Sequence, residues 1–273
     1  MGGRKLGFVK TVGAGNDFII IDFRNSHVAP RTSSSNLALS LCQRKTGIGA
    51  DGLLVLEPSL KADFRMRIIN ADGSEAEACG NGLRCVALYA YERRKKISIE
   101  TKAGIYEAEI TGKNRVKIKM EEPKDLRCNL PIKVKSRSIK VNYIDTGVPH
   151  AVILVEGLGK IDVDGIGRDV RRNSKFKPRG TNVDFIEIID DRNIRMRTYE
   201  RGVEGETLAC GTGAVASAII ANHARGARSD EINVHTKGGV LKVYFKHTNN
   251  GKIKDVYLEG EAKEVYKGEV DHV

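Results

Sequence analysis

The chain has 273 residues and is 40 % hydrophobic, enough for one large domain or two ordinary ones and too apolar to be mainly disordered. Its formal net charge of +11 arises from 46 basic residues interspersed with 35 acidic ones, without tryptophan; this reads as solvated surface rather than a nucleic-acid footprint. No apolar run approaches the roughly 20 residues of a membrane span, and the N-terminus lacks a signal-peptide core. A cytoplasmic protein with no membrane and no nucleic-acid partner is expected.

In chain order, Phe18–Asp22 reads as a buried strand and Ser34–Cys42 as a helix capped by Ser35 or Asn36. Leu53–Leu56 and Arg65–Ile69 are further strands. A helix follows from Gly82 towards Arg93, with Leu83, Val86, Ala87, Tyr89 and Ala90 at helical spacing. Ile97–Glu100, Tyr106–Ile110 and Val116–Met120 alternate as half-exposed antiparallel strands do. The pattern breaks at Glu122-Pro123-Lys124-Asp125 and then resumes in the same order. Ala151–Val155 answers the first strand, Thr181–Ile189 aligns with Ile48–Leu56 so that Asp184 matches Asp51, and a helix spans Ala214–Ala224 near Gly226. Leu241–Phe245 and Asp255–Leu258 complete the series.

The chain therefore repeats itself. Arg65-Met66-Arg67 recurs as Arg195-Met196-Arg197, and Ile97–Gly104 recurs as Ile232–Gly239. Ala78-Cys79-Gly80-Asn81-Gly82 recurs as Ala209-Cys210-Gly211-Thr212-Gly213, with Glu75 and Glu206 each four residues before the cysteine. The five cysteines are odd in number and unevenly spaced, which excludes a disulfide framework, and no pair has metal-ligand spacing. Cys42, Cys85 and Cys128 read as packing residues.

Cys79 and Cys210 differ from these. Each stands where a loop enters a helix, and a helix N-terminus carries unpaired N–H groups and partial positive charge that favour a thiolate. The glycines that follow let backbone amides approach a carboxylate closely. A Cys-His hydrolase with His150 as base needs one nucleophile, whereas this chain carries two equivalent thiols. Two thiols suit removal of a proton from one face of a carbon and delivery to the other, without a cofactor or metal.

The residues that carry this chemistry resemble the diaminopimelate epimerase family over nearly the whole chain. The resemblance lies in Gly13–Phe18, Thr46–Leu54, Asn70–Arg84, Gly147–His150, Arg179–Phe185 and, most specifically, Tyr199–Gly213. It implies an α/β (α+β) fold of two pseudo-symmetric domains. Each would be a barrel-like, mostly antiparallel sheet around a central helix, with the active site in the interdomain cleft. The first domain would span 1–124, completed by a C-terminal strand within 256–273, and the second 125–255. It further implies cofactor-independent interconversion of LL- and meso-2,6-diaminopimelate for lysine or peptidoglycan precursors, by a homodimer. By that likeness Cys79 and Cys210 are the acid/base pair. Asn16, Asn70, Asn182, Glu200 and Arg201 would hold the substrate's amino and carboxyl groups. Amides of Gly80, Asn81, Gly211 and Thr212 would face the carboxylate at the reacting carbon, and His150 and Glu200 would tune the thiols. Val148 stands where the family often has Asn, and Gly52 where many members have Gln.

Other classes fit less well. A proline or hydroxyproline racemase also uses two cysteines, but Asn70-Ala71-Asp72-Gly73 and Tyr199–Glu206 argue against it. A phenazine-biosynthesis-type isomerase usually lacks the cysteine pair. A basic nucleic-acid-binding module would have no use for both thiols beside Glu200-Arg201.

Overall fold

The computed structural model describes residues 5–25, 33–91, 95–135, 137–226, 229–248 and 251–271. The chain divides into two compact units, Met1–Ile118 with Gly260–Val273, and Lys119–Glu259. The first unit contains β1 (Lys5–Gly13), β2 (Asn16–Asp22), α1 (Ser34–Leu41), β3 (Gly52–Glu57), β4 (Phe64–Asn70) and β5 (Glu75–Ala76). These are followed by α2 (Gly80–Ala90), β6 (Lys96–Thr101), β7 (Gly104–Gly112) and β8 (Arg115–Lys119). The second contains β9 (Lys124–Val134), β10 (Arg137–Asp145), β11 (Pro149–Leu154), α3 (Val163–Arg171), β12 (Asn182–Ile188) and β13 (Asn193–Glu200). It continues with β14 (Gly205–Thr207), α4 (Gly211–Arg225), β15 (Glu231–Thr236), β16 (Gly239–His247) and β17 (Ile253–Glu261). The last strand, β18 (Lys263–Asp271), pairs antiparallel with β1.

The strands of each unit follow the same order. In the first it runs β18-β1-β2-β3-β4-β6-β7-β8, and in the second β9-β10-β11-β12-β13-β15-β16-β17. Parallel pairs occur at β2–β3, β4–β6, β11–β12 and β13–β15, and the other neighbours are antiparallel. Neither sheet closes into a barrel. Its free edges carry the features that keep edges from pairing: charged Lys263, Glu264, Lys267 and Glu269 on β18, and Pro131 on β9.

Each sheet packs around one central helix. Helix α2 lies against β1, β2, β4, β6, β7 and β18, and α4 against β10, β11, β12, β13, β15 and β16. The opposite face is covered by a second helix: α1 on β3 and β4, α3 on β12 and β13. With both faces covered, β2, β3 and β12 are buried along most of their length rather than alternating. Ile19, Ile21, Leu53, Val55 and Ile69 turn towards α1, where Leu37, Ala38 and Leu41 meet them.

The structure differs from the sequence reading at several elements, strands β9 and β10 among them. Helix α1 is capped by Ser33, whose hydroxyl accepts from the Asn36 N–H at 3.2 Å, rather than by Ser35 or Asn36. Helix α2 begins at Gly80, two residues before its apolar period becomes visible, and Arg93 lies outside the described residues. Strand β1 was hidden by its lysines. Lys10 is nonetheless buried, its ammonium 2.7 Å from Asp17. Helix α3 escaped notice because little of it is apolar; its start is marked by Asp162, which accepts from the Gly165 N–H at 2.9 Å.

Candidate active site

The repeated residues outside the cysteine turn are structural. In both copies the second arginine of the triplet grips the glutamate that precedes the cysteine through two parallel hydrogen bonds. Arg67 donates to Glu75 at 2.9 and 3.1 Å, and Arg197 to Glu206 at 2.7 and 2.8 Å. This fork ties the segment entering the thiol to the central strand, so the repeated glutamate is a clamp rather than a partner of the sulfur. The middle residues, Met66 and Met196, fill the core. Thr101 and Thr236 donate to the carbonyls of Gly104 and Gly239 at 3.0 and 2.7 Å. Those glycines have φ of 144° and 125°, which a side chain at a tight hairpin would oppose.

Each thiol is the N-cap of its unit's central helix. Cys79 has φ −148° and ψ 112°, and its sulfur accepts from the Gly82 N–H at 3.4 Å. Cys210 has φ −120° and ψ 119° and accepts from the Gly213 N–H at 3.4 Å. An extended cap residue turns its side chain back over the open end of the helix. The sulfurs therefore sit at the positive poles of α2 and α4, beside the first N–H groups at Gly80-Asn81 and Gly211-Thr212, which a helix leaves unpaired.

In the first unit, Asn81 Nδ2 donates to Asn16 Oδ1 at 2.6 Å, and Asn16 Nδ2 donates to Asp51 at 2.9 Å. Arg44 holds both Asp17 and Asp51 at 2.7 Å. Burial is the largest single effect on Asp17 and raises it, but the Arg44 guanidinium and Lys10 together outweigh it and bring the carboxyl down to about 2. Asn70 closes its own turn, donating to the Ser74 hydroxyl at 2.9 Å. Gly52 lies opposite Asn70 across β3 and β4, and a Cβ there would stand 2.9 Å from the Ile69 carbonyl.

In the second unit the polar residues form one buried chain. Cys210 Sγ is 3.4 Å from Thr212 Oγ1, which is 3.0 Å from His150 Nε2. His150 Nδ1 is 2.7 Å from Asp184 Oδ2, and the Thr198 hydroxyl donates to Asp184 Oδ1 at 2.7 Å. His150 and Asp184 have no exposed side-chain surface. The imidazole thus bridges a buried carboxylate and the Thr212 hydroxyl, which in turn lies within hydrogen-bond reach of the thiol. Asn182 Nδ2 approaches His150 Nε2 at 3.5 Å, and its Oδ1 accepts from the Arg201 N–H at 2.8 Å. The Arg201 guanidinium donates to the Arg179 carbonyl at 2.8 Å. Glu200 accepts from the Thr207 hydroxyl and is also hydrogen-bonded to Cys210; burial pushes its carboxyl up, with Asp184 adding to the shift.

A helix pole alone predicts a thiolate at both cysteines, and at Cys210 this fails. Burial raises that thiol well above its ordinary value, and the charges of Glu200 and Asp184 raise it further. The hydrogen bonds from Thr212 and Gly213 oppose this but are the smaller effects. Cys42 and Cys85 are pushed up by burial to about 11 and about 12, and Cys128 also rises, as suits packing thiols.

The strand register corrects the alignment of Asp51 with Asp184. Val55 faces Arg67 and Phe185 faces Arg197, so Leu54 is the counterpart of Asp184. Leu54 pairs with Ile20 and Asp184 with Val152, which makes Phe18 the counterpart of His150. The glycines at the helix entries agree: a Cβ on Gly82 would meet Leu54, and one on Gly213 would meet Asp184. Asp184, Thr198 and Thr207 join the site although no sequence motif marks them. The available signal was a carboxylate inside the apolar run Val183-Asp184-Phe185-Ile186.

The fold is shared with several solved structures. A Bacillus anthracis phenazine biosynthesis protein of the PhzF family superposes with TM-score 0.74 at 18 % identity, covering 98 % of this chain and 99 % of that one. A hydroxyproline epimerase from Agrobacterium vitis gives 0.67 at 17 %, covering 98 % and 92 %. At such identities the likeness concerns the fold alone. The family model for diaminopimelate epimerase matches residues 8–126 and 142–265, and the chain belongs to that family. Diaminopimelate epimerases of Caldanaerobacter subterraneus subsp. tengcongensis and Methanocella arvoryzae are 42 % and 43 % identical, over 97 % and 98 % of this chain and 99 % and 97 % of theirs.

Proposed function

We propose that this chain interconverts LL- and meso-2,6-diaminopimelate with no cofactor, Cys79 and Cys210 acting as paired acid and base. The observation that carries the reading is a cysteine at the N-cap of each unit's central helix, in a family named for that epimerisation. The two units would be the two epimerase halves, with the substrate between them. Asn16, Asn70, Asn182, Glu200 and Arg201 would hold its amino and carboxyl groups.

The chemistry sets what the residues must do. An α-proton is far less acidic than a thiol, so the carbanionic transition state needs stabilisation by dipoles already in place. The amides of Gly80, Asn81, Gly211 and Thr212 suit a carboxylate whose charge grows as the proton leaves. The thiolate takes the proton from one face, and the opposite thiol supplies one to the other face. Burial, with the charges of Glu200 and Asp184, keeps Cys210 in the thiol form. Cys79 then removes the proton, and the roles exchange in the reverse reaction. The product would serve lysine or peptidoglycan precursors, and a cytoplasmic homodimer is part of the same reading.

The test is deuterium incorporation at the α-carbon in heavy water, with LL- and meso-diaminopimelate as substrates and proline and hydroxyproline as controls. Exchange is expected with diaminopimelate alone, and Cys79→Ala and Cys210→Ala should each abolish epimerisation. Near-normal turnover in either variant refutes the paired assignment.

A further inference from the structure

Arg84 lies on α2 five positions after Cys79, and its side chain is completely buried. Its Nη2 donates to Asn81 Oδ1, while Nε and Nη1, both shielded from solvent, have no hydrogen-bond partner among the described residues. Nη1 stands 3.9 Å from the place a Cβ on Gly80 would take, so the guanidinium folds back over the helix N-terminus. A guanidinium does not surrender its proton at ordinary pH, and a buried charge with unsatisfied donors is costly unless an anion comes to it.

The titratable groups that act on Arg84 are Cys79 and Cys85 on α2. Among the described residues, no carboxylate from β1, β2, β4, β6, β7 or β18, the strands around the helix, acts on it. Burial holds Cys85 as a thiol, which leaves the Cys79 sulfur, among the described residues, as the group able to answer the charge. The second unit has Val215 at the corresponding position, and carboxylates rather than a cation act on its thiol. The same guanidinium also fixes Asn81. With Oδ1 engaged by Arg84, the amide must turn Nδ2 towards Asn16, 2.6 Å away.

We propose that Arg84 is a positioning residue of the reaction, the buried counter-ion that keeps Cys79 a thiolate and locks the orientation of Asn81. The inference rests on the acid/base role proposed for Cys79. It adds that the two halves are set in opposite protonation states by a cation on one side and carboxylates on the other.

Site-resolved alkylation of the full-length protein by iodoacetamide, followed by mass spectrometry from acidic to alkaline pH, tests this directly. In the wild type Cys79 should react at lower pH than an unperturbed thiol. Arg84→Met should slow Cys79 alkylation at neutral pH by about tenfold or more, a shift of about one pH unit in its titration. Arg84→Lys should restore most of that rate, and the Cys210 profile should not move. The acidic limb of the kcat profile should follow Cys79. A Cys79 curve in Arg84→Met that superimposes on the wild type overturns the proposal. If that variant does not fold, a wild-type Cys79 that titrates like an ordinary thiol overturns it equally. Loss of turnover in Cys79→Ala with an unmoved Cys79 curve in Arg84→Met rejects only Arg84, whereas active Cys79→Ala rejects the paired-thiol reading itself.

Discussion

At the register positions where the second unit has His150, Asp184 and Thr198, the first has Phe18, Leu54 and Ile68. The helix behind the thiol shows the reverse substitution, with charged Arg84 in the first unit and apolar Val215 in the second. Both units retain the arginine–glutamate fork, the methionine in the core and the Thr-to-Gly hairpin. Duplication thus supplied a pair of frames that hold a sulfur at a helix pole, and the residues around each sulfur have diverged. The lesson is that equal geometry does not imply equal chemistry. Burial plus two carboxylates outweigh the helix pole at Cys210.

The comparison can be broken most severely by moving one unit's residues into the other. Asp184→Leu leaves His150 and Thr198 without their acceptor in a dry site and should cost about 3–5 kcal/mol in urea unfolding. The double variant His150→Phe with Asp184→Leu reproduces the first unit's apolar pair and should recover most of that stability. It should not recover turnover. Equal destabilisation in both variants would show that the second unit cannot accommodate the first unit's packing.

Removing one clamp should have a smaller effect. Glu206→Gln loses the charge in the Arg197 fork and should cost about 1–3 kcal/mol near neutral pH. The sign of its pH dependence follows from Arg197 and Arg67, which hold Glu206 and Glu75 below the ordinary 4.5. A carboxylate lowered in the folded state stabilises fully above its ordinary value and loses that contribution as pH falls through the folded value. Wild-type stability should therefore decline below about pH 4.5, and the Gln variant should decline less steeply over the same acid range.

Glu200→Gln sharpens the contrast between the thiols with little cost to the fold. It removes a charge that raises Cys210 but leaves the larger effect of burial, so alkylation of Cys210 should quicken several-fold while remaining slower than that of Cys79. The smallest change expected is from Thr101→Val or Thr236→Val, each losing one turn hydrogen bond. About 0.5–1.5 kcal/mol of stability should go, with turnover unchanged. A marked loss of activity in either would mean that the hairpins do more than close a turn.

Much of this was legible in the order of residues. The duplication, the apolar strands of β2, β3 and β12, the two central helices and the two unusual cysteines all follow from local periodicity and from motifs read against each other. Less visible were β1, whose lysines obscure a buried strand, and α3, whose buried face is three residues wide. The Asp51–Asp184 alignment failed for a related reason. Similarity of letters along a chain does not report which residues face each other across a ladder, and strand pairing moved the equivalence by three positions.

By itself, the sequence determined that two copies of one unit each carry a cysteine at a helix entry, because capping and periodicity act over a few residues. Only the tertiary structure decided which partners those cysteines meet. His150, Asp184 and Thr198 arrive from three different strands, and Arg84 becomes a buried cation only once the sheet has wrapped around it. Charge strength depends on burial, and burial is made by segments far apart in the chain.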